Sequence, residues 1–108
     1  MNLHDLIRDQ AENGETWLEF FRVPALSLGL YVLPAGGVDE QTPHAEDEVY
    51  LVVEGRGVLA VEGIDRPVGP GDLLFVAARD DHRFHSITED LKLLVVFAPA
   101  ETDPEPLG

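Results

Sequence analysis

From Thr16 to Ala98 the chain is a succession of short apolar, β-branched and aromatic runs, each closed by a Gly- or Pro-bearing break. This pattern predicts strands over 16–22, 25–33, 37–44, 48–54, 57–62, 64–68, 72–77, 82–88 and 91–98, with turns at PAGG, EGRG, EGID, VGPGD and TED. Before this region the period is different. Leu3, Leu6, Ile7 and either Gln10 or Ala11 fall on one face of a helix over 3–12, which ends at the Asn13–Gly14 pair. Three segments follow: a helical one at 1–15, a β-barrel at 16–98, and a Pro- and acid-rich tail at 99–108 expected to hang free or lie on the surface. Many short strands with tight turns predict an all-β sandwich or barrel rather than an α/β domain.

At 108 residues and 44% hydrophobic, the chain has the length and apolar content for a single core. Charge narrows its partners. Twenty-one Asp and Glu against seven Lys and Arg give a net charge of −14, which repels nucleic-acid backbones and anionic membrane surfaces. The absence of Cys removes disulfides, thiolate metal sites and cysteine nucleophiles. No apolar run approaches the ~20 residues of a membrane span. The start MNLHDLIRDQ has neither the basic end nor the apolar run of a secretory signal, so the expected location is cytoplasmic.

Two stretches carry candidate chemistry. In QTPHAEDEVYLVVEGRG, Gln41 to Gly57, His44 and Glu48 would lie about 13 Å apart on one straight strand, too far to share an ion. Pro43 and the polar AED suggest instead that the chain reverses, with His44 ending one strand and Glu48 beginning its antiparallel neighbour. Glu48, Tyr50 and Val52 then share a face, and an inward Glu48 needs a proton, a hydrogen bond or a metal. Taken alone, Glu48 is equally an outward acid of its loop. In GPGDLLFVAARDDHRFHSI, Gly69 to Ile87, His82, Phe84 and Ser86 share one strand face and Arg83, His85 and Ile87 the other. Only one of these two histidines can face inward; His85 is expected on the surface, and His4 on the helix is incidental.

Together the two stretches resemble the cupin family. Its first motif runs Gly, His-x-His, three or four residues, Glu, six residues, Gly. Here His44 matches the second His, Glu48 the acid and Gly55 the closing glycine. The second motif, Gly, five residues, Pro-x-Gly, two residues, His, is matched in length by Gly71 through His82. There is one departure from each motif: Thr42 stands for the first His of the first, and Ala77-Ala78-Arg79 for the Pro-x-Gly of the second. The resemblance implies a double-stranded β-helix of the RmlC type, a jelly-roll-like barrel preceded by the short helix. It also implies a divalent metal held by His44, Glu48 and His82, one ligand short of the family's usual three His and one Glu. Gln41 or Thr42 is a candidate for the vacated position, Glu46 a weaker one, and Tyr50 and Phe84 are candidate pocket walls.

Two imidazoles and one carboxylate with open positions form a ligand set that suits Fe(II), while Mn, Ni and Zn are not distinguished from it by residue type. No Ser-His-Asp arrangement and no aligned lysine suggests covalent catalysis, and GRG and GPG are too short to indicate phosphate binding. The expected function is a metal-dependent oxygenase, lyase or isomerase acting on a small molecule. The alternative is a non-catalytic metabolite-binding or sensor barrel with a degenerate site. A homodimer through the apolar N-terminal strands is the expected assembly.

Overall fold

Helix α1, Leu3–Asn13, is closed at both ends by its own sequence. The Asn2 side chain accepts from the N–H groups of His4 and Asp5, and Gly14, at φ 69°, turns its N–H back to the Gln10 carbonyl. Leu3, Leu6, Ile7 and Gln10 form the less exposed face; of the two alternatives for its last member, Gln10 is the buried one. The computed structural model describes residues 1–40 and 43–102. Gln41 and Thr42 therefore lie outside the described residues, as does the tail from 103 onward.

The described strands are β1 (Trp17–Val23), β2 (Leu26–Leu33), β3 (Asp47–Val61), β4 (Ile64–Val68), β5 (Leu73–Val76) and β6 (His82–Ala98). Their order is β1-β2-β6-β3-β4, with β5 also on β3, and every pairing is antiparallel. The long ladder between β3 and β6, from Asp47 opposite Ala98 to Val61 opposite His82, is the spine of the fold. Its early β3 half is flanked by β5 and, across β6, by β2; its late half is flanked by β4. Side chains from the two halves meet in one core: Tyr50, Val52, Leu93, Val95 and Phe97 from the first, Leu59, Val68, Phe84 and Ile87 from the second. A ladder bent so that one face closes on itself is the expected barrel.

Several boundaries differ from those expected. EGRG and TED do not reverse the chain. They face each other within the β3–β6 ladder as irregularities between Val52 and Val58, so the strands expected at 48–54 and 57–62 are one, as are those at 82–88 and 91–98. Bulges accommodate the extra residues and bend the ladder without ending it. The alternation expected through Ser86 also breaks. At φ 50° Ser86 shifts the pleat by one, leaving Ser86 exposed and turning Ile87 into the core.

The strand expected at 37–44 is not formed among its described residues. Asp39 takes its place: its carboxylate accepts from the Phe84 backbone N–H (2.8 Å) and from the Tyr31 hydroxyl (2.7 Å). One buried side chain thus satisfies a β6 donor that a paired strand would otherwise have met. Burial, then the Asp39 charge and hydrogen bond, hold the Tyr31 phenol well above its usual range.

The tail begins by docking. The Ala100 N–H donates to the Pro24 carbonyl, the Glu101 N–H to Ser27 Oγ, and the backbone and hydroxyl of Thr102 both donate to Glu46 Oε2. Ser27 lies on β2 and Glu46 just ahead of β3, so residues 100–102 are sewn to the barrel rather than free. Glu101 is 2% exposed.

Candidate metal centre

Glu48 sits one residue into β3, flanked by Val76 of β5 and Phe97 of β6. The pleat sends Glu48, Tyr50 and Val52 inward together, as the period of two requires, and all three are buried. His82 opens β6 opposite Val61. Its Nδ1 lies 2.9 Å from the Asp80 carbonyl, which can only accept, so the ring carries its proton there and presents Nε2 to the interior. Asp80 lies in the charged loop just before β6, so the loop that leads into the strand orients the ring.

His44 arrives by a route different from the one expected. It ends no strand paired with Glu48. It lies in the loop before β3, where its carbonyl accepts the Arg79 N–H at 2.7 Å. Its ring packs edge-on against Phe97 at 4.8 Å and lies 5.9 Å from the His82 ring. Pro43 ahead of it has no N–H to give a ladder, and the loop-to-loop hydrogen bond with Arg79 serves instead. Arg79 stands where the family motif has glycine, and it holds φ 68°. A left-handed backbone costs a residue with a Cβ about 1–2 kcal/mol, part of which glycine returns in unfolded-chain entropy. Arg79→Gly keeps the N–H to His44 and is expected to stabilise by roughly 0.5–1 kcal/mol, a rise of a few degrees in Tm by calorimetry.

The three candidate ligands converge. One donor atom from each of His44, Glu48 and His82 lies within 4.8 Å of the other two, and all three residues are buried. Glu48 Oε1 and His82 Nε2 are 3.1 Å apart. Donors around one ion at about 2.1 Å lie roughly 3–4 Å from each other, so this spacing suits a shared cation. Among the described residues neither atom makes a hydrogen bond of acceptable geometry. Two facing polar atoms, buried and unsatisfied, are costly in a protein and ordinary around a metal. The residues fit a divalent ion.

Burial, the largest influence on both rings, draws them toward the neutral form. For His44 it wins, aided by the neighbouring His82, and the pKa is lowered despite the nearby acids. For His82 burial is outweighed by the contact with Glu48, the Asp80 carbonyl and the charges of Glu48 and Asp39, and the pKa is raised.

Tyr50 and Phe84 line the same interior, edge to face with ring centres 5.0 Å apart, and Tyr50 lies 6.2 Å from the His82 ring. His85 is partly exposed and meets Asp65 at 2.9 Å, away from the cluster. Glu46 has turned inward, but it accepts from Thr102 and is not among the three converging residues.

Two residues near the cluster were missed in the sequence. Asp39 is hidden in a stretch that resembles a strand, and Glu101 in a tail that resembles a disordered end. The Glu101 carboxylate lies 3.4 Å from His44 Nδ1. Burial, followed by repulsion from Glu46, Glu48 and Glu19 and eased by Arg22, pushes its pKa up to about 7. No local pattern marks either one: Asp39 reaches the Phe84 N–H 45 residues away, and the Glu101 N–H reaches Ser27 74 residues away.

A model of the cupin domain matches residues 29–97. An uncharacterized protein of Streptomyces coelicolor is 45% identical over 100 residues, 93% of this chain and 95% of that one. A β-D-galactosidase of Mycobacterium tuberculosis is 33% identical over 69 residues, 64% of this chain and 60% of the relative. An acireductone dioxygenase of Bacillus licheniformis is 38% identical over 58 residues, 49% of this chain and 32% of the relative. The match thus spans less than two thirds of either enzyme. Among solved structures, TT1209 of Thermus thermophilus superposes with a TM-score of 0.72 at 26% identity, covering 93% of this chain and 96% of that one. With the domain model running from β2 to the end of β6, and with one relative matched almost end to end, the chain belongs to the cupin family.

Proposed function

We propose that this chain binds one divalent metal ion through His44, Glu48 and His82 and uses it to transform a small molecule, as an oxygenase, lyase or isomerase. The observation that carries the reading is the buried pair Glu48 Oε1 and His82 Nε2, 3.1 Å apart and unsatisfied, with His44 beside them. A metal held by two imidazoles and a carboxylate supplies Lewis acidity and open positions for a chelating substrate, dioxygen or water. Tyr50, Phe84 and Phe97 give the surroundings an aromatic, largely apolar wall, suited to a small and partly apolar substrate with a polar handle. The short match to a dioxygenase supports oxygen chemistry; the match to a galactosidase draws the other way, so the class of reaction is left at this breadth.

Elemental analysis of protein purified without a metal-affinity tag tests the binding. About one divalent ion per chain is expected. Protein that stays metal-free after incubation with Fe(II), Mn(II), Ni(II) and Zn(II) overturns the proposal.

One observation favours a second reading, a non-catalytic metabolite-binding barrel: Thr42 occupies the motif position of the first histidine. That reading expects ligand-dependent thermal stabilisation with no turnover. Oxygen uptake or product formation with any screened substrate excludes it.

A further inference from the structure

We infer that Glu101 is a positioning residue for the metal centre, its buried carboxylate accepting the Nδ1 proton of His44 and leaving Nε2 for the cation. The inference rests on the metal reading above and adds a residue that lies outside both family motifs.

Three observations converge on it. Glu101 Oε2 lies 3.4 Å from His44 Nδ1, with the two side chains 3% and 6% exposed. Oε2 has no hydrogen bond among the described residues, and Arg22 reaches the Glu101 backbone carbonyl (2.7 Å) rather than satisfying that oxygen. Finally, the backbone on both sides is pinned. The Glu101 N–H donates to Ser27 Oγ at 2.9 Å, and the Ala100 and Thr102 bonds to Pro24 and Glu46 fix its neighbours. A buried carboxylate costs several kcal/mol unless something compensates it. A chain that secures such a group with bonds on three successive residues is holding it in place.

The chemistry needed at that place is visible on the other ring. His82 has its Nδ1 proton held by the Asp80 carbonyl, which fixes the tautomer and aims Nε2 at Glu48. Metal-bound imidazoles commonly donate their second N–H to a carboxylate or carbonyl, which orients the ring and makes the ligating nitrogen more basic. The His44 carbonyl is already bound by Arg79, which sets its backbone, and the Glu101 carboxylate stands where it can act on the ring. At 3.4 Å the contact is longer than a strong hydrogen bond, and a cation on Nε2 would make the Nδ1–H a better donor to it.

The test measures Zn(II) affinity by competition with a chromophoric chelator for the parent chain, Glu101→Gln and Glu101→Ala. Nitrogen-15 NMR of the His44 ring is recorded with and without metal. In the parent chain His44 is expected in the Nδ1–H form in both states. Glu101→Ala is expected to bind Zn(II) about 10–100-fold more weakly, with Glu101→Gln in between because its amide oxygen still accepts. A merely structural role would lower Tm in both variants without ordering the affinities in this way. Affinity of Glu101→Ala within about threefold of the parent, or an Nε2–H tautomer of His44 in the metal-free parent, overturns the inference. Should Glu101→Ala fail to fold, Glu101→Gln and the parent tautomer decide it. A parent chain that binds no Zn(II) sinks the metal reading instead, and the metal-free tautomer still tells whether Glu101 sets the ring.

Discussion

His82→Ala protein, prepared without a metal-affinity tag, is expected to retain less than about a tenth of the divalent metal carried by the parent chain, read by elemental analysis. The imidazole supplies one of three converging donors, and its Nε2 faces Glu48 Oε1 across 3.1 Å. Removing it leaves His44 and Glu48, too few donors to compete with water for a first-row ion. The same change takes away an imidazole that stands 3.1 Å from a carboxylate that is 2% exposed. Uncompensated buried charge of this kind costs about 3–5 kcal/mol, so the variant should also melt well below the parent. Glu48→Gln separates the two effects: metal is lost as before, while an uncharged side chain of similar volume costs less stability. His85→Ala, at a partly exposed ring engaged with Asp65, should leave metal content unchanged. If His82→Ala keeps its metal, the three residues are a polar cluster and the ion lies elsewhere.

Gly55→Ala is expected to destabilise the fold by roughly 3 kcal/mol, lowering Tm by on the order of 15 °C in a calorimetric scan. Gly55 holds φ 96°, a conformation open to glycine and strained for any residue with a Cβ. Space is as restrictive as angle. A Cβ there would stand 2.1 Å from the Asp90 carbonyl oxygen and 2.7 Å from Leu91 Cα, backbone atoms that move only if the ladder moves. Gly55 lies at the irregular point where β3 passes β6 between Val52 and Val58. The bend there brings the halves of the ladder together around one core, so the cost is paid in closure of the barrel. By contrast, Gly63→Ala meets open space, and only its φ of 78° opposes the change. A loss for Gly55→Ala no greater than for Gly63→Ala would mean that close approach at the bend is not what the motif glycine serves.

Much of this was legible along the chain. The inward set Glu48, Tyr50 and Val52 followed from the period of two, and the helix end from Asn13–Gly14. The spacing of His44, Glu48, Gly55, Gly71 and His82 pointed to the cupin family and to three residues that the fold brings together. What failed had physical causes. EGRG and TED carry turn-forming residues, but those residues absorb a bulge as readily as they reverse a chain, and only the partner strand decides which. Residues 37–40 resemble a strand because nothing local says that one of them, Asp39, will satisfy Phe84 with its side chain instead. Ser86 adopts a left-handed conformation that its own residue type does not favour, and the inward face shifts with it.

By itself the sequence determined the all-β class, the inward face of Glu48, Tyr50 and Val52, the exclusion of thiol chemistry, and an inventory of metal-binding donors at motif spacing. These are local properties, set by side-chain type and the repeat of the backbone. Only the tertiary structure decided how those donors are served: His44 held from a loop by Arg79, Asp39 joined to β6, and Glu101 carried in from the tail to stand beside His44. Such contacts join residues dozens of positions apart. No local period encodes them, because they come into being only when β3 and β6 pair and the ladder closes over its core.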